Sequence, residues 1–151
     1  MFEIIGIGAC VMDTLYNVPS YPAEDTKKRA SGSMQAGGGP VATGLVAASK
    51  LGAKAAYAGV LSDDVGGEFL KADFEKYGVS TALTETKSGY RSFTSVILLC
   101  EDTATRTCVF DKGNLPPFSL SDKVKGKIAE AKLIMVDGNE MAAAIEAAKI
   151  A

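Results

Sequence analysis

Histidine is absent from this sequence of 151 residues. Its absence excludes a Ser-His-Asp triad, because that mechanism needs an imidazole base. It also excludes other acid–base chemistry by imidazole and metal sites built on histidine. Enzymes that depend on any of these devices are therefore not candidates.

Cysteine is scarce, and the three that occur are Cys10, Cys100 and Cys108. Their number is odd and no two of them show CxxC spacing, so they form neither a zinc site nor a disulfide framework. All three stand in apolar surroundings. We therefore expect buried free thiols in a reducing compartment.

The sequence also lacks an excess of positive charge and any long apolar run. The sequence has 16 Lys and Arg residues and 18 Asp and Glu residues, so its net charge is −2. This charge argues against a protein that binds nucleic acid or an anionic membrane. No apolar run approaches the ~18 residues that span a bilayer, and the start of the chain lacks the basic residues of a signal peptide. A 47% share of hydrophobic residues is enough for one packed domain. We expect a cytoplasmic protein with no nucleic-acid and no membrane partner.

Predicted strands alternate with predicted helices along the chain. The strands are 3–8, 11–18, 28–35, 54–60, 92–100, 105–111 and 133–136. The helices are 41–51, 66–77, 121–131 and 140–151. This order predicts an α/β fold with a mainly parallel sheet, and the two strand pairs that interrupt it predict a separate small sheet. Because no strand follows the last helix, we expect the chain to be the front part of a larger α/β protein.

The first candidate site follows the first strand, at Gly6-Ile7-Gly8. A dinucleotide fingerprint needs a third glycine at position 11, where the chain has Val11 and continues as a strand, so nicotinamide binding is disfavoured. Asp13 lies just beyond the strand end, where open α/β sheets bind ligands, and its carboxylate can accept hydrogen bonds from ligand hydroxyls. A solvated turn aspartate is the alternative interpretation.

The second candidate site is the run Gly37, Gly38 and Gly39 directly before Pro40, which opens a predicted helix. Glycines there allow a ligand to approach the backbone closely, and the helix start offers free N–H groups. Thr43 would place its hydroxyl in the first turn. No Gly-Lys-Ser/Thr follows, so this is not a Walker A loop. A glycine-rich turn without a ligand is the alternative.

Taken together, these segments resemble the ribokinase-like (PfkB) carbohydrate kinases, over essentially the whole chain. The matching segments are GIG (6–8) with Asp13, YPAED (21–25), GGGPVAT (37–43), LGA (51–53), GVLSDDVGG (59–67), KYGV (76–79), TRT (105–107) and VDG (136–138). The resemblance implies the N-terminal half of a doubly wound α/β kinase domain. It also implies a small β-sheet lid made of segments near 11–36 and 91–111.

The resemblance also implies roles for single residues. Asp13 would hold sugar hydroxyls, Gly37 and Gly38 would contact the sugar and let the lid move, and Gly39 extends this pair. Asp25 resembles a substrate-contacting aspartate that ketohexokinase-like members carry on the lid. The remaining candidates for substrate contact are Thr43, Asn114 and Asn139. Asp63 and Asp64 are expected to cap a helix.

Two departures from the family pattern limit what the resemblance implies. Many members have Asn where this chain has Ala42, so sugar recognition should differ from that of ribokinase or ketohexokinase, and Thr43 could supply one hydroxyl instead. The GGGPxAT variant is similar to that of sulfofructose kinases. The family's catalytic base lies in a G-A-G-D motif, which is absent here and expected after Ala151. No catalytic residue and no metal ligand is therefore assigned, and the cofactor-binding residues stay unknown.

The function that the resemblance implies is transfer of the ATP γ-phosphate, with Mg²⁺, to a hydroxyl of a small carbohydrate. This chain would carry the sugar-binding half. The alternatives are a nucleoside kinase of the same superfamily and a non-catalytic ligand-binding or interaction module. A homodimer through the lid is expected, with an apolar lid face supplied by Val96, Leu98, Val109 and Phe110.

Overall fold

The computed structural model describes all 151 residues. The strands are β1 (Ile4–Ile7), β2 (Val11–Val18), β3 (Gly32–Gly38), β4 (Ala55–Ser62), β5 (Ser80–Lys87), β6 (Thr94–Cys100), β7 (Thr105–Asp111) and β8 (Leu133–Val136). The helices are α1 (Pro40–Lys50), α2 (Val65–Lys76), α3 (Asp122–Glu130) and α4 (Met141–Ile150), with a 3₁₀ turn at Gly138–Glu140. The longest helix has 12 residues, and none has the length and hydrophobicity of a membrane span.

The main sheet has the strand order β5-β4-β1-β8 and is parallel throughout. All eight residues of β4 are buried, as expected for a strand that helices cover on both faces. Ile5 and Ile7 point into the core with α3 and α4, whereas Ala55 and Tyr57 point into the core with α1 and α2. The predicted α/β class with a doubly wound parallel sheet is confirmed.

The four remaining strands form a second sheet of order β3-β2-β6-β7, which we call the small sheet. In it β2 runs parallel to β6, and the β2–β3 and β6–β7 pairs are antiparallel. The four predicted strands therefore do join in one sheet. The predicted strand 28–35 was placed too early, since β3 covers Gly32–Gly38. Glycines at a strand end look like a loop in the sequence, but here Gly38 pairs with Val11.

Strand β5 was missed by the sequence analysis. Its sequence, STALTETK, is polar, and Leu83 is its one buried residue. It forms the outer strand of the main sheet beside β4, where one partner and few apolar side chains suffice. Sequence patterns detect such edge strands poorly. Pairing with the neighbouring strand stabilises them, although their composition is not typical of a strand.

The structure corrects two further expectations about the small sheet. Cys10 and Cys100 are buried as expected, but Cys108 is exposed because β7 is an outer strand with every residue exposed. The prediction that Phe110 shares the apolar face of Val96 and Val109 was also wrong. Val96 pairs with Val109, whereas Phe110 pairs with Ser95, so Phe110 lies on the opposite face.

Asp64 joins helix α2 to the segment that leads into β6. Its Oδ1 accepts hydrogen bonds from the Gly67 backbone N–H at 2.8 Å and from Ser92 Oγ at 2.6 Å, and its Oδ2 accepts one from the Ser92 N–H at 2.8 Å. The expected helix cap is confirmed for Asp64. Asp63 instead accepts one long bond, 3.3 Å, from the Gly89 N–H.

Replacing Asp64 by alanine should lower the free energy of unfolding by about 2–4 kcal/mol, since a helix cap and charged hydrogen bonds are lost together. Burial disfavours the charged form, but the hydrogen bonds from Ser92 and Gly67 outweigh it and hold the pKa of Asp64 below its ordinary value. A carboxyl with a depressed pKa stabilises the fold above its unfolded-state pKa. The stability gap between wild type and variant should therefore narrow as the pH falls below about 4.

Urea unfolding between pH 3 and pH 7 measures this gap, with Asp63→Ala as the matched control. The control should cost less than about 0.5 kcal/mol, as an exposed residue with one weak contact. A gap that stays constant with pH, or a control equal to Asp64→Ala, would contradict the assignment.

Candidate functional site

Asp13 lies on β2, beyond the carboxyl end of the central strand β1. Its Oδ1 accepts a hydrogen bond from Ser95 Oγ at 2.5 Å, a residue that stands opposite it on β6. Its Oδ2 lies against Gly38, so closely that a Cβ on Gly38 would collide with it. Asp13 is half-buried, and its second oxygen is directed at backbone rather than at a cation. The carboxylate is thus oriented by protein contacts and forms no ion pair.

A cavity of about 230 Å³ opens beside this carboxylate, and we call it the Asp13 pocket. It is lined by Val11, Asp13, Phe93, Ser95, Ile97, Arg106, Cys108 and Phe110. The rings of Phe93 and Phe110 lie 5.8 Å apart, centroid to centroid, in a tilted arrangement. The pocket therefore offers aromatic surface together with an oriented carboxylate, a hydroxyl and a guanidinium. This combination suits a small molecule that has both hydroxyl groups and C–H surface.

The three glycines of the run before α1 have different surroundings. Gly38 lies on the same face of the small sheet as Asp13, while Gly37 faces the opposite way, toward Asp73 on α2. Gly39 has φ 98° and ψ 143°, and a Cβ there would collide with the carbonyl oxygen of Ala9. The structure therefore brings only Gly38 against Asp13, and Gly39 is required by the backbone itself.

A second cavity, of about 350 Å³, lies at the carboxyl edge of the main sheet, and we call it the edge cavity. Phe93 lines both this cavity and the Asp13 pocket, so the two adjoin. Tyr57 lines it too and donates a hydrogen bond from Oη to the Gly8 carbonyl at 2.9 Å. Burial raises the pKa of Tyr57 well above its usual value, so its hydroxyl remains a donor.

Asp137 holds this edge together and was not singled out from the sequence. Its Oδ2 accepts a hydrogen bond from the Ala9 N–H, and its Oδ1 accepts one from the Asn139 N–H, each at 2.8 Å. It thereby ties the end of β1 to the end of β8. The available signals were its place in the segment VDG (136–138) and an aspartate before Gly138-Asn139 at a strand end, which is typical of an Asx turn.

The other predicted site residues do not meet at Asp13. Thr43 is exposed and lines a third cavity, between α1 and α2. Asn139 lines the edge cavity. Asn114 accepts a hydrogen bond from the Arg91 N–H at 2.7 Å through Oδ1, and so closes the loop beside that cavity. Asp25 is exposed in the loop between β2 and β3, has φ 55°, and lines none of the three cavities.

No group of three or more acidic or cysteine side chains lies close enough to hold a metal ion.

The fold is of the ribokinase-like α/β class, with a second, smaller sheet at the carboxyl edge of the main sheet. The structure superposes on a ribokinase from Giardia lamblia with a TM-score of 0.84 at 18% identity, over 99% of this chain and 50% of that one. It superposes on a ribokinase from Arabidopsis thaliana, solved with ribose and ATP, with a TM-score of 0.73 at 18% identity, over 89% of this chain and 45% of that one.

The sequence comparison narrows the class to a family. The family model for pfkB family carbohydrate kinases matches residues 1–150, so the chain belongs to the pfkB family. A ketohexokinase from Mus musculus is 29% identical over 136 residues, which is 90% of this chain and 46% of the relative. The chain thus spans about half the length of the relatives it matches.

Proposed function

We propose that this chain provides the acceptor-binding part of a sugar kinase, in which the Asp13 pocket holds the hydroxyls of a small carbohydrate. ATP, with Mg²⁺, would supply the phosphoryl group when bound. The observation that carries the proposal is the oriented, half-buried Asp13 carboxylate between Ser95 and Gly38, in a chain of the pfkB family. ATP as donor rests on the family and its relatives, not on residues of this chain.

The geometry suggests how these residues would work. Asp13 would accept hydrogen bonds from acceptor hydroxyls, which are stronger than neutral bonds because the oxygen is charged. Ser95 keeps the carboxylate oriented, and the missing side chain at Gly38 leaves room for the Asp13 carboxylate itself. Phe93 and Phe110 would cover the C–H surface of the sugar and exclude water. Such positioning is the main requirement of phosphoryl transfer.

The test is acceptor binding by calorimetry with a panel of ketoses, aldoses and nucleosides. Asp13→Asn should weaken sugar binding roughly 10- to 150-fold, because a charged hydrogen-bonding group is lost. Asp102→Asn, an exposed carboxylate in the β6–β7 turn, is the matched control and should bind like wild type. Unchanged affinity in Asp13→Asn would remove Asp13 from the site. Binding of nucleosides alone would favour a nucleoside kinase, and binding of neither class a non-catalytic module.

A homodimer through the small sheet is part of the same proposal, in a cytoplasmic protein. Val96 and Val109 stand opposite each other on the face away from Asp13 and are 47% and 71% exposed. A second copy would cover this apolar face. Light scattering at micromolar concentration should give twice the 15.7 kDa chain mass, and Val109→Asp should halve it. The control Ser119→Asp, in a loop outside the small sheet, should stay dimeric. A wild-type monomer would refute this assembly.

A further inference from the structure

Asp73 lies at a position of helix α2 where an aspartate destabilises the helix. Aspartate is a poor helix former, and it stands in the last turn of α2, where the helix dipole disfavours negative charge. It is half-buried, yet none of the hydrogen bonds or ion pairs of the chain uses its carboxylate. Such local conflicts are expected where a residue serves a function.

The carboxylate of Asp73 lies directly against the glycine run. A Cβ on Gly37 would lie 2.5 Å from Asp73 Oδ2, while the next nearest residue, Leu70, would be in ordinary contact at 3.8 Å. On the opposite face of β3, the Asp13 carboxylate lies against Gly38 in the same way. Two carboxylates from different elements therefore confine neighbouring glycines from opposite sides.

Behind β3 there is space into which this strand end could move. A cavity of about 240 Å³ opens between parts of β3, α1 and α2, and Asp73, Gly37 and Thr43 line it. Lys50 and Lys76 at this cavity contact the ring of Tyr77, at 4.4 and 4.9 Å from its centroid, and form no ion pair with Asp73. Asp73 is thus the first group that Gly37 would meet on moving toward α2.

We propose that Asp73 is a positioning residue, whose carboxylate limits the movement of Gly37 and so keeps Gly38 and Asp13 in the geometry that binds the acceptor. The link to acceptor binding rests on the proposed function, whereas the restraint on β3 does not. A displacement of β3 toward α2 would draw Gly38 away from the Asp13 carboxylate, since the two glycines are adjacent in the chain.

A double-mutant cycle tests the contact. Gly37 has no positive φ, so alanine fits its backbone and the cost of Gly37→Ala is the displacement of Asp73. We expect Gly37→Ala to lower Tm by about 3 °C or more in the wild type and by less than half as much in Asp73→Ala. Equal shifts in both backgrounds would show that the two residues are independent and overturn the proposal.

Hydrogen exchange tests the restraint without any ligand. In Asp73→Ala, amides of residues 32–38 should exchange about fivefold faster, while those of residues 55–62 in the core stay unchanged. Asp73→Asn keeps the volume and should behave like wild type, as should Glu75→Ala, which removes an exposed carboxylate from the same helix. Exchange that rises equally in both segments, or in neither, would overturn the restraint.

Acceptor binding completes the test. Sugar affinity should fall about fivefold in Asp73→Ala and be restored in Asp73→Asn, in parallel with exchange at residues 32–38. Faster exchange with unchanged affinity would overturn the link between Asp73 and the acceptor. Absence of sugar binding by the wild type would refute the proposed function, while the exchange and the double-mutant cycle would still decide the restraint on β3.

Discussion

Alanine at position 39 is expected to lower the free energy of unfolding by at least about 3 kcal/mol, the sum of backbone strain and overpacking. Gly39 has φ 98° and ψ 143°, a region that residues with a Cβ rarely adopt. A Cβ there would also collide with the carbonyl oxygen of Ala9. Ala9 cannot yield easily, because its N–H donates to Asp137 and fixes the end of β1.

Gly52→Ala is the matched control for this substitution. Gly52 has a nearly identical φ of 97°, but a Cβ there has no atom within 4 Å. It should therefore cost only the conformational penalty, about 1 kcal/mol. Urea unfolding of the two variants compares the cost at Gly39 with the cost at a glycine of similar φ in open surroundings. If Gly39→Ala lowers the free energy of unfolding no more than Gly52→Ala does, the close packing of Gly39 against Ala9 does not stabilise the fold as we expect.

Residues 1–151 alone are expected to show no sugar-dependent ATP turnover. Attack by a hydroxyl on a γ-phosphate needs a base within hydrogen-bond reach of that hydroxyl. Asp13 is the one carboxylate that lines its pocket, and its contacts with Ser95 and Gly38 suit it to hold hydroxyls rather than to remove a proton. Tyr57 at the adjoining edge cavity has a pKa raised by burial, so it is no base near neutral pH.

The measurement is ATP hydrolysis and sugar phosphorylation by the purified chain, with an intact relative of the same family as the positive control. Asp13→Asn separates contaminating activity from activity of the site. Sugar-dependent turnover that exceeds background and disappears in Asp13→Asn would contradict the account, because the chain would then contain a complete catalytic site.

Much of the fold was predictable because its signals are local. Pro40 at the start of α1 and Asp64 before α2 marked helix starts, and the structure has both. The apolar strands β1, β4 and β8 were found from their composition. Strand β5 was not, since a polar edge strand is defined by its pairing with β4.

The site was predictable only in part, because contacts between distant segments leave no local signal in the sequence. Asp13 and Gly38 were identified and do meet, but the sequence placed Gly37 and Thr43 with them, and both face other cavities or elements. Which face a strand residue takes depends on register, and a one-residue shift exchanges the faces. Ser95 was missed because it contacts Asp13, which lies 82 residues away in the chain. Asp73 was missed because it lies on α2 and contacts Gly37 on β3.

The central claim is that the Asp13 pocket binds a carbohydrate, and an NMR titration of the ¹⁵N-labelled chain with the sugar panel tests it most directly. The account predicts saturable shifts at the amides of Asp13, Gly38 and Ser95 with at least one sugar, and their loss in Asp13→Asn. Saturable shifts elsewhere, or shifts that persist in Asp13→Asn, would contradict it.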